Sequence, residues 1–179
     1  MLQQAPPQEL CIEGFSEAAV LVPVIRRRHG ITLGYTLRHD EMPTHAGQIS
    51  FPGGCRAPSD ADLTATALRE AAEELGLEPA DVEVAGRIDD VPSTIGFVIT
   101  PIVGWIDDPP EFPADPREVQ LYFEVDLEEL AAPANFVDAG EREIAGKRYP
   151  LPEYHVAGQR IWGATARITQ RFLQIVGLA

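Results

Sequence analysis

Glu70, Glu73 and Glu74 stand close together in the chain, directly after Arg69. On a helix of about 3.6 residues per turn, Glu70 and Glu74 lie one turn apart and Glu73 flanks them. Arg69 sits one turn before Glu73 and can pair with it. Three carboxylates on one patch repel each other and raise a carboxylate pKa unless a cation stands among them. A hard ion such as Mg2+ takes few carboxylate oxygens and keeps open positions for phosphate oxygens and water. A metal held this way polarises a phosphoryl group and orients a water, with a neighbouring glutamate as general base. The competing use of a Glu- and Ala-rich helix is a solvated face.

The elements around this patch must position it. A helix is expected from about Asp60 to Leu75, with Ser59 or Asp60 as N-cap and Gly76 ending it. Ala61, Thr64, Leu68, Ala72 and Leu75 share one side, with Glu70 and Glu74 opposite. Upstream, Phe51-Pro52-Gly53-Gly54 offers adjacent glycines, which let a backbone turn sharply and approach a ligand closely. Their amides can face an anion. Ala18–Ile25 and Ile31–Arg38 read as a hairpin with a five-residue connection. Val82–Asp89, Phe97–Ile106 and Val119–Val125 read as strands, Asp126–Ala131 as a short helix, and 143–154 as a small hairpin. Residues 1–16 form an arm, and 1–179 read as a single domain. Ile161, Thr165, Ile168, Phe172 and Ile175 follow one helical stripe, a face packed on the sheet. Helices mid-chain and at the end suggest a mixed sheet covered on two sides.

Composition bounds the function. The chain has 179 residues, 45% of them apolar, and a net charge of −14. That charge argues against nucleic acid as the main partner, because backbone binding needs a basic surface. It also means that an anionic substrate needs a cation to offset the carboxylates. No stretch is long enough to span a bilayer, so no membrane is expected. The start, MLQQAPPQEL, lacks a signal-peptide pattern, and a cytoplasmic location is expected. Cys11 and Cys55 form no ligand pattern and are expected to be plain buried thiols.

The segment from Gly54 to Leu77 resembles the Nudix box: a glycine, an acidic residue, then Arg-Glu-apolar-x-Glu-Glu-x-Gly-apolar. Gly54, Asp60 and the run Arg69 to Leu77 supply it. Aspartate stands at the usual early glutamate, and the spacing from Gly54 to Arg69 is one residue longer than standard. The resemblance implies an α/β/α sandwich around a mixed β-sheet and Mg2+ or Mn2+ as cofactor. It implies Glu70 and Glu74 as main metal ligands, Glu73 as a further ligand or base, and Arg69 orienting the glutamates. The activity implied is hydrolysis of a nucleoside diphosphate linked to another moiety.

The flanks narrow the substrate. Thr36, Arg38, Gly47 and Phe51–Gly54 are similar to the signature of the coenzyme A pyrophosphatase branch, with Pro43 at its second arginine and His39 at a small residue. Thr94–Phe97, Thr100-Pro101, Arg117–Val119 and Ile161–Ala166 also resemble that branch. The resemblance implies cleavage of coenzyme A or its thioesters to 4′-phosphopantetheine, or its acylated form, and adenosine 3′,5′-bisphosphate. The 3′-phosphate needs a cationic contact. Arg38 is the first candidate, followed by Arg56 and the Arg26–Arg28 cluster, whose other reading is an exposed turn. Glu118 is a candidate ligand or base or else a surface glutamate, His45 a phosphate contact or a residue closing the loop by a hydrogen bond, and Phe97 a pocket wall or core residue; Trp162 and Phe172 are expected in the core. The alternatives are a Nudix pyrophosphatase acting on ADP-ribose, nucleotide sugars or nucleoside triphosphates, and a catalytically silent binding module. The arm and final helix are compatible with a homodimer.

Overall fold

The computed structural model describes residues 6–39, 47–109 and 112–179. The first hairpin is present as β1 (Ser16–Arg27) and β2 (Gly30–Arg38). Its connection is only Arg28-His29, shorter than expected, because Arg26 and Arg27 continue the strand and pair with Ile31 and Gly30. Two short strands follow, β3 (Ile49–Ser50) and β4 (Gly53–Cys55), too brief for a two-residue alternation to reveal.

The carboxylate helix is α1 (Leu63–Leu75), which starts later than expected. Asp62 is the N-cap, its side chain accepting from the Ala65 amide at 2.8 Å. Neither Ser59 nor Asp60 serves, since the Asp60 carboxylate is taken by Arg69 and Thr66. Gly76 ends the helix in the left-handed region at φ 64°, as expected, and its amide donates to Ala72.

Beyond it run β5 (Glu83–Arg87), β6 (Val91–Pro92), β7 (Phe97–Asp107) and β8 (Val119–Asp126). β5 is shorter than expected and its pairing is irregular between Val84 and Gly86. The short α2 (Leu127–Ala131) leads into β9 (Phe136–Ile144), β10 (Lys147–Val156) and β11 (Gln159–Ile161). These make an antiparallel three-stranded sheet where the sequence suggested only a small hairpin. β9 is exposed along nearly its whole length and so carries no apolar alternation. The turns are Ala145-Gly146 and Ala157-Gly158, both with positive φ at each residue. The last helix is α3 (Gly163–Ile175); Ile161 belongs to β11 rather than to the helical stripe.

Among the described residues, eight strands form the main sheet, with β1 at its centre. β1 runs parallel to β7 from Ser16↔Phe97 to Arg26↔Asp107 and antiparallel to β2 and β4, so the sheet is mixed. β1 feeds both faces. Leu21 and Ile25 pack with Ala67, Ala71 and Leu75 of α1. Val22 and Val24 face the other core, with Ile168, Phe172 and Leu173 of α3. This is the α/β/α sandwich. Each fully buried Leu or Ile contributes about 1.5–3 kcal/mol, so α1 is held by its small inward face against β1.

That face differs from the expected one. Thr66, Ala67, Ala71, Glu74 and Leu75 point inward, while Ala61 is exposed. Ala67 and Ala71 are small enough to let the helix sit close on β1, and this draws Glu74 down to 3% exposure. Cys11 and Cys55 are both exposed, not buried, since each lies at the rim of the sheet or before it. No helix among the described residues is long and apolar enough to cross a membrane.

Candidate active site

The glycine loop and α1 meet at β4. β4 pairs antiparallel with the start of β1, Ala19 opposite Gly54 and Val20 opposite Gly53. A side chain on Gly53 would collide with the Ala19 carbonyl and the Val20 backbone. One on Gly54 would lie 2.5 Å from the Glu70 carboxylate. Close approach to the β1 backbone therefore requires glycine at 53, while Gly54 is the floor on which the Glu70 carboxylate rests. Phe51 is buried and stacks on Tyr35 with ring centroids 4.8 Å apart, which anchors the loop.

Arg69 fastens the helix to this loop. Its Nε and Nη2 each donate to one Asp60 oxygen at 3.0 Å, and Nη2 also reaches the Cys55 carbonyl at 3.2 Å. Its Nη1 holds Glu70 at 2.9 Å and Glu73 at 3.2 Å. Hydrogen bonds from Arg69, Ala57 and Thr66 hold the Asp60 carboxyl well below the usual range. The extra residue between Gly54 and Arg69 thus leaves the acidic residue and the arginine in bidentate contact.

Glu70, Glu74 and Glu118 line one cleft of about 680 Å³, of a size that suits a small-molecule ligand. Burial pushes the Glu74 carboxyl up to about 8, with Glu70 and Glu118 adding to the shift and Arg38 and the Gly53 amide opposing it. Burial likewise raises Glu70, against Arg69. One Glu74 oxygen, Oε2, is buried without a hydrogen-bond partner among the described residues. Arg38 Nη1 lies 3.6 Å from the other oxygen, and its own buried Nε has no partner among the described residues. Glu118 is brought beside Arg38 by backbone pairing: the His39 amide donates to the Glu118 carbonyl at 3.0 Å, and Arg38 faces Val119 across the sheet.

Carboxylates short of positive charge, one with an orphaned oxygen, fit a hard cation that takes few protein ligands and completes its shell from elsewhere. They do not form a closed cage. Among the described residues no three His, Cys, Asp or Glu groups converge as a ready-made metal cluster.

The sequence candidates divide accordingly. Glu70, Glu74, Glu118, Arg38, Gly53, Gly54 and Phe97 line the cleft. Glu73 is 58% exposed outside it, held by Arg69, which itself acts from behind the carboxylates. Arg56 does not reach the cleft; it ion-pairs with Glu17 at 3.0 Å on the surface. Arg26 pairs with Asp107, and Arg27 with Glu124, away from the cleft. His45 lies outside the described residues.

Residues not anticipated also line the cleft: Arg142, Arg160 and Arg167, together with Trp162. Trp162 is 42% exposed rather than in the core, because it stands between β11 and α3 as the N-cap position of the helix, ahead of the residues that turn inward. Phe172 is buried as expected. The only sequence signal for Arg167 is its place between Ala166 and the inward Ile168, on a helix whose polar residues should face out.

Comparison with known proteins agrees with this architecture. The NUDIX domain family matches residues 16–168. A Nudix hydrolase named NudL from Photorhabdus laumondii is 36% identical over 177 residues, covering 98% of this chain and 92% of that protein. Its namesake from Yersinia enterocolitica is 37% identical over 179 residues, covering 99% and 89%. The crystal structure of the M. smegmatis Nudix hydrolase RenU superposes with a TM-score of 0.64 at 17% identity, covering 90% of this chain and 86% of that one. At that identity the likeness is one of fold.

Proposed function

This chain belongs to the Nudix hydrolase family, and from that premise we propose that it hydrolyses the pyrophosphate of coenzyme A or its thioesters with Mg2+ or Mn2+. A single domain carries the reaction. The observation that supports the reading is one cleft lined by Glu70, Glu74 and Glu118, by Arg38, Arg142, Arg160 and Arg167, and by Phe51, Gly53 and Gly54.

Glu70 and Glu74 would hold the cation, with Glu73 as outer support through Arg69. The bound ion supplies neutralisation of the diphosphate and polarisation of its P–O bonds. Arg69 fixes the Glu70 carboxylate, and Arg38 balances Glu74. Glu118, free to face the cleft, is assigned to accept the proton of the attacking water. The water oxygen forms a bond to one phosphorus, the bridging P–O bond breaks, and the bridging oxygen leaves on the other phosphate. Phe97 and Trp162 offer aromatic faces to the adenine. The products are 4′-phosphopantetheine, or its acylated form, and adenosine 3′,5′-bisphosphate.

The test is incubation of the protein with coenzyme A and Mg2+ or Mn2+, with products read by mass spectrometry beside ADP-ribose, NADH and a nucleoside triphosphate. Preferential release of 4′-phosphopantetheine is expected. Cleavage of another substrate alone would remove coenzyme A, and no metal-dependent cleavage of any would favour a silent binding module.

A further inference from the structure

Arg167 takes no part in the carboxylate machinery, yet it is the most buried cation of the cleft at 8% exposure. Its Nη2 donates to the Pro92 carbonyl. Among the described residues its Nε and Nη1, both buried, have no hydrogen-bond partner. The Tyr149 ring lies under the guanidinium, 5.4 Å from its centroid. Burial pulls the pKa down to about 10, which leaves the group charged at neutral pH. Unpaired buried donors on a charged group destabilise a fold, and each calls for an explanation. A ligand that is itself anionic supplies one.

A second feature points at the same place. Residues Trp162 to Thr165 line the cleft, and no side chain caps the first turn of α3. The free amides and the dipole of a helix start favour an anion. Arg167 projects from the next turn of the same helix. Arg160, on β11 just before it, is held by Glu153 at 2.8 and 2.5 Å and lies over Trp162, so its charge is half spent. Arg167 has no such carboxylate among the described residues, and its unpaired Nε and Nη1 keep donors on two edges of the guanidinium for an anion.

We propose that the start of α3 and Arg167 form a second anion subsite, built for a phosphate monoester and separate from the carboxylates that face the diphosphate. Under the coenzyme A reading, on which the identity of the group rests, it receives the 3′-phosphate. This places the discriminating cation on α3 instead of on Arg38, which is already engaged with Glu74.

The test is calorimetric titration of the protein with adenosine 3′,5′-bisphosphate and with AMP. Wild type should bind the bisphosphate at least about ten-fold more tightly, R167M should lose that preference, and R167K, which keeps the charge but not the planar set of donors, should lose most of it. R167M should melt no lower than wild type by more than about 2–4 °C, because an unpaired buried charge is removed. Equal preference in wild type and either variant, or none in wild type, overturns the subsite; if R167M does not fold, R167K decides. In parallel, hydrolysis of coenzyme A and 3′-dephospho-coenzyme A is compared. Cleavage of neither defeats the substrate reading, while the calorimetry still decides the subsite.

Discussion

Arg69 grips both oxygens of Asp60 at 3.0 Å and, with its remaining amino group, holds Glu70 at 2.9 Å. One planar cation thus ties the loop after β4 to the carboxylate helix. Asp60 never touches the cleft, and its influence runs through Arg69. We expect Asp60→Asn to lower turnover about 10–100-fold, the usual effect of losing an outer partner of a metal ligand. Steady-state kinetics at several Mg2+ concentrations will show the loss shrinking as metal is raised, if Glu70 orientation is what was lost.

Glu74 is buried with an orphaned oxygen, so it costs stability in the metal-free protein. Glu74→Gln should melt at or above the wild-type temperature without metal and lose turnover by more than about 100-fold, a trade of function for stability. Added Mg2+ should raise the melting temperature of wild type, by about 2–4 °C per kcal/mol of binding free energy, and leave that of the variant unmoved. Equal shifts in both proteins would take Glu74 out of the ligand set.

Gly54→Ala places a methyl 2.5 Å from the Glu70 carboxylate. The backbone below is pinned to β1, so Glu70 must yield. Turnover should fall about ten-fold or more with little change in melting temperature. Gly53→Ala meets β1 backbone instead and should destabilise by about 1–3 kcal/mol, visible in urea unfolding.

Burial alone would raise Glu124, but hydrogen bonds from Arg27, at 2.5 and 3.0 Å, and from Thr32, at 2.7 Å, outweigh it and hold its carboxyl below the usual range. A folded-state pKa below the unfolded value gives stability that is full above the unfolded pKa of about 4.3 and fades as pH falls through the folded one. Glu124→Gln should therefore melt lower than wild type at pH 7, with the gap closing in acid below about pH 4. A gap that stays constant from pH 7 to 3 would refute this.

Much of the molecule is legible in its sequence, and the reasons are local. β7 and β8 carry enough apolar residues to be placed within a residue or two, and Gly76 marks the end of α1 by its backbone alone. The inward face of α1 was less legible. Its start is set by which aspartate is free to cap, and that depends on Arg69 reaching Asp60 across the loop, a contact no helical period reports. The arginines of the cleft were hidden for a different reason. Arg142, Arg160 and Arg167 come from two strands and a helix, and β9 lacks any apolar alternation to announce a strand. Exposed sheets folded over a cleft are specified by turns such as Ala145-Gly146 rather than by burial.

The central strand β1 is completed by β7, whose partner residues lie far along the chain, Ser16 with Phe97 and Arg26 with Asp107. The helix with the glutamates lies inside the loop that this pairing closes. Such non-local pairing is slow, because the entropy of closing the loop is lost before contacts repay it. During synthesis β1 and β2 can form a hairpin early, but its β1 edge waits for β7 until residue 107 has emerged and its β2 edge waits for β8 until residue 126 has. The cleft is therefore among the last features to assemble, and the nascent chain passes through an interval in which an apolar strand edge is exposed to aggregation.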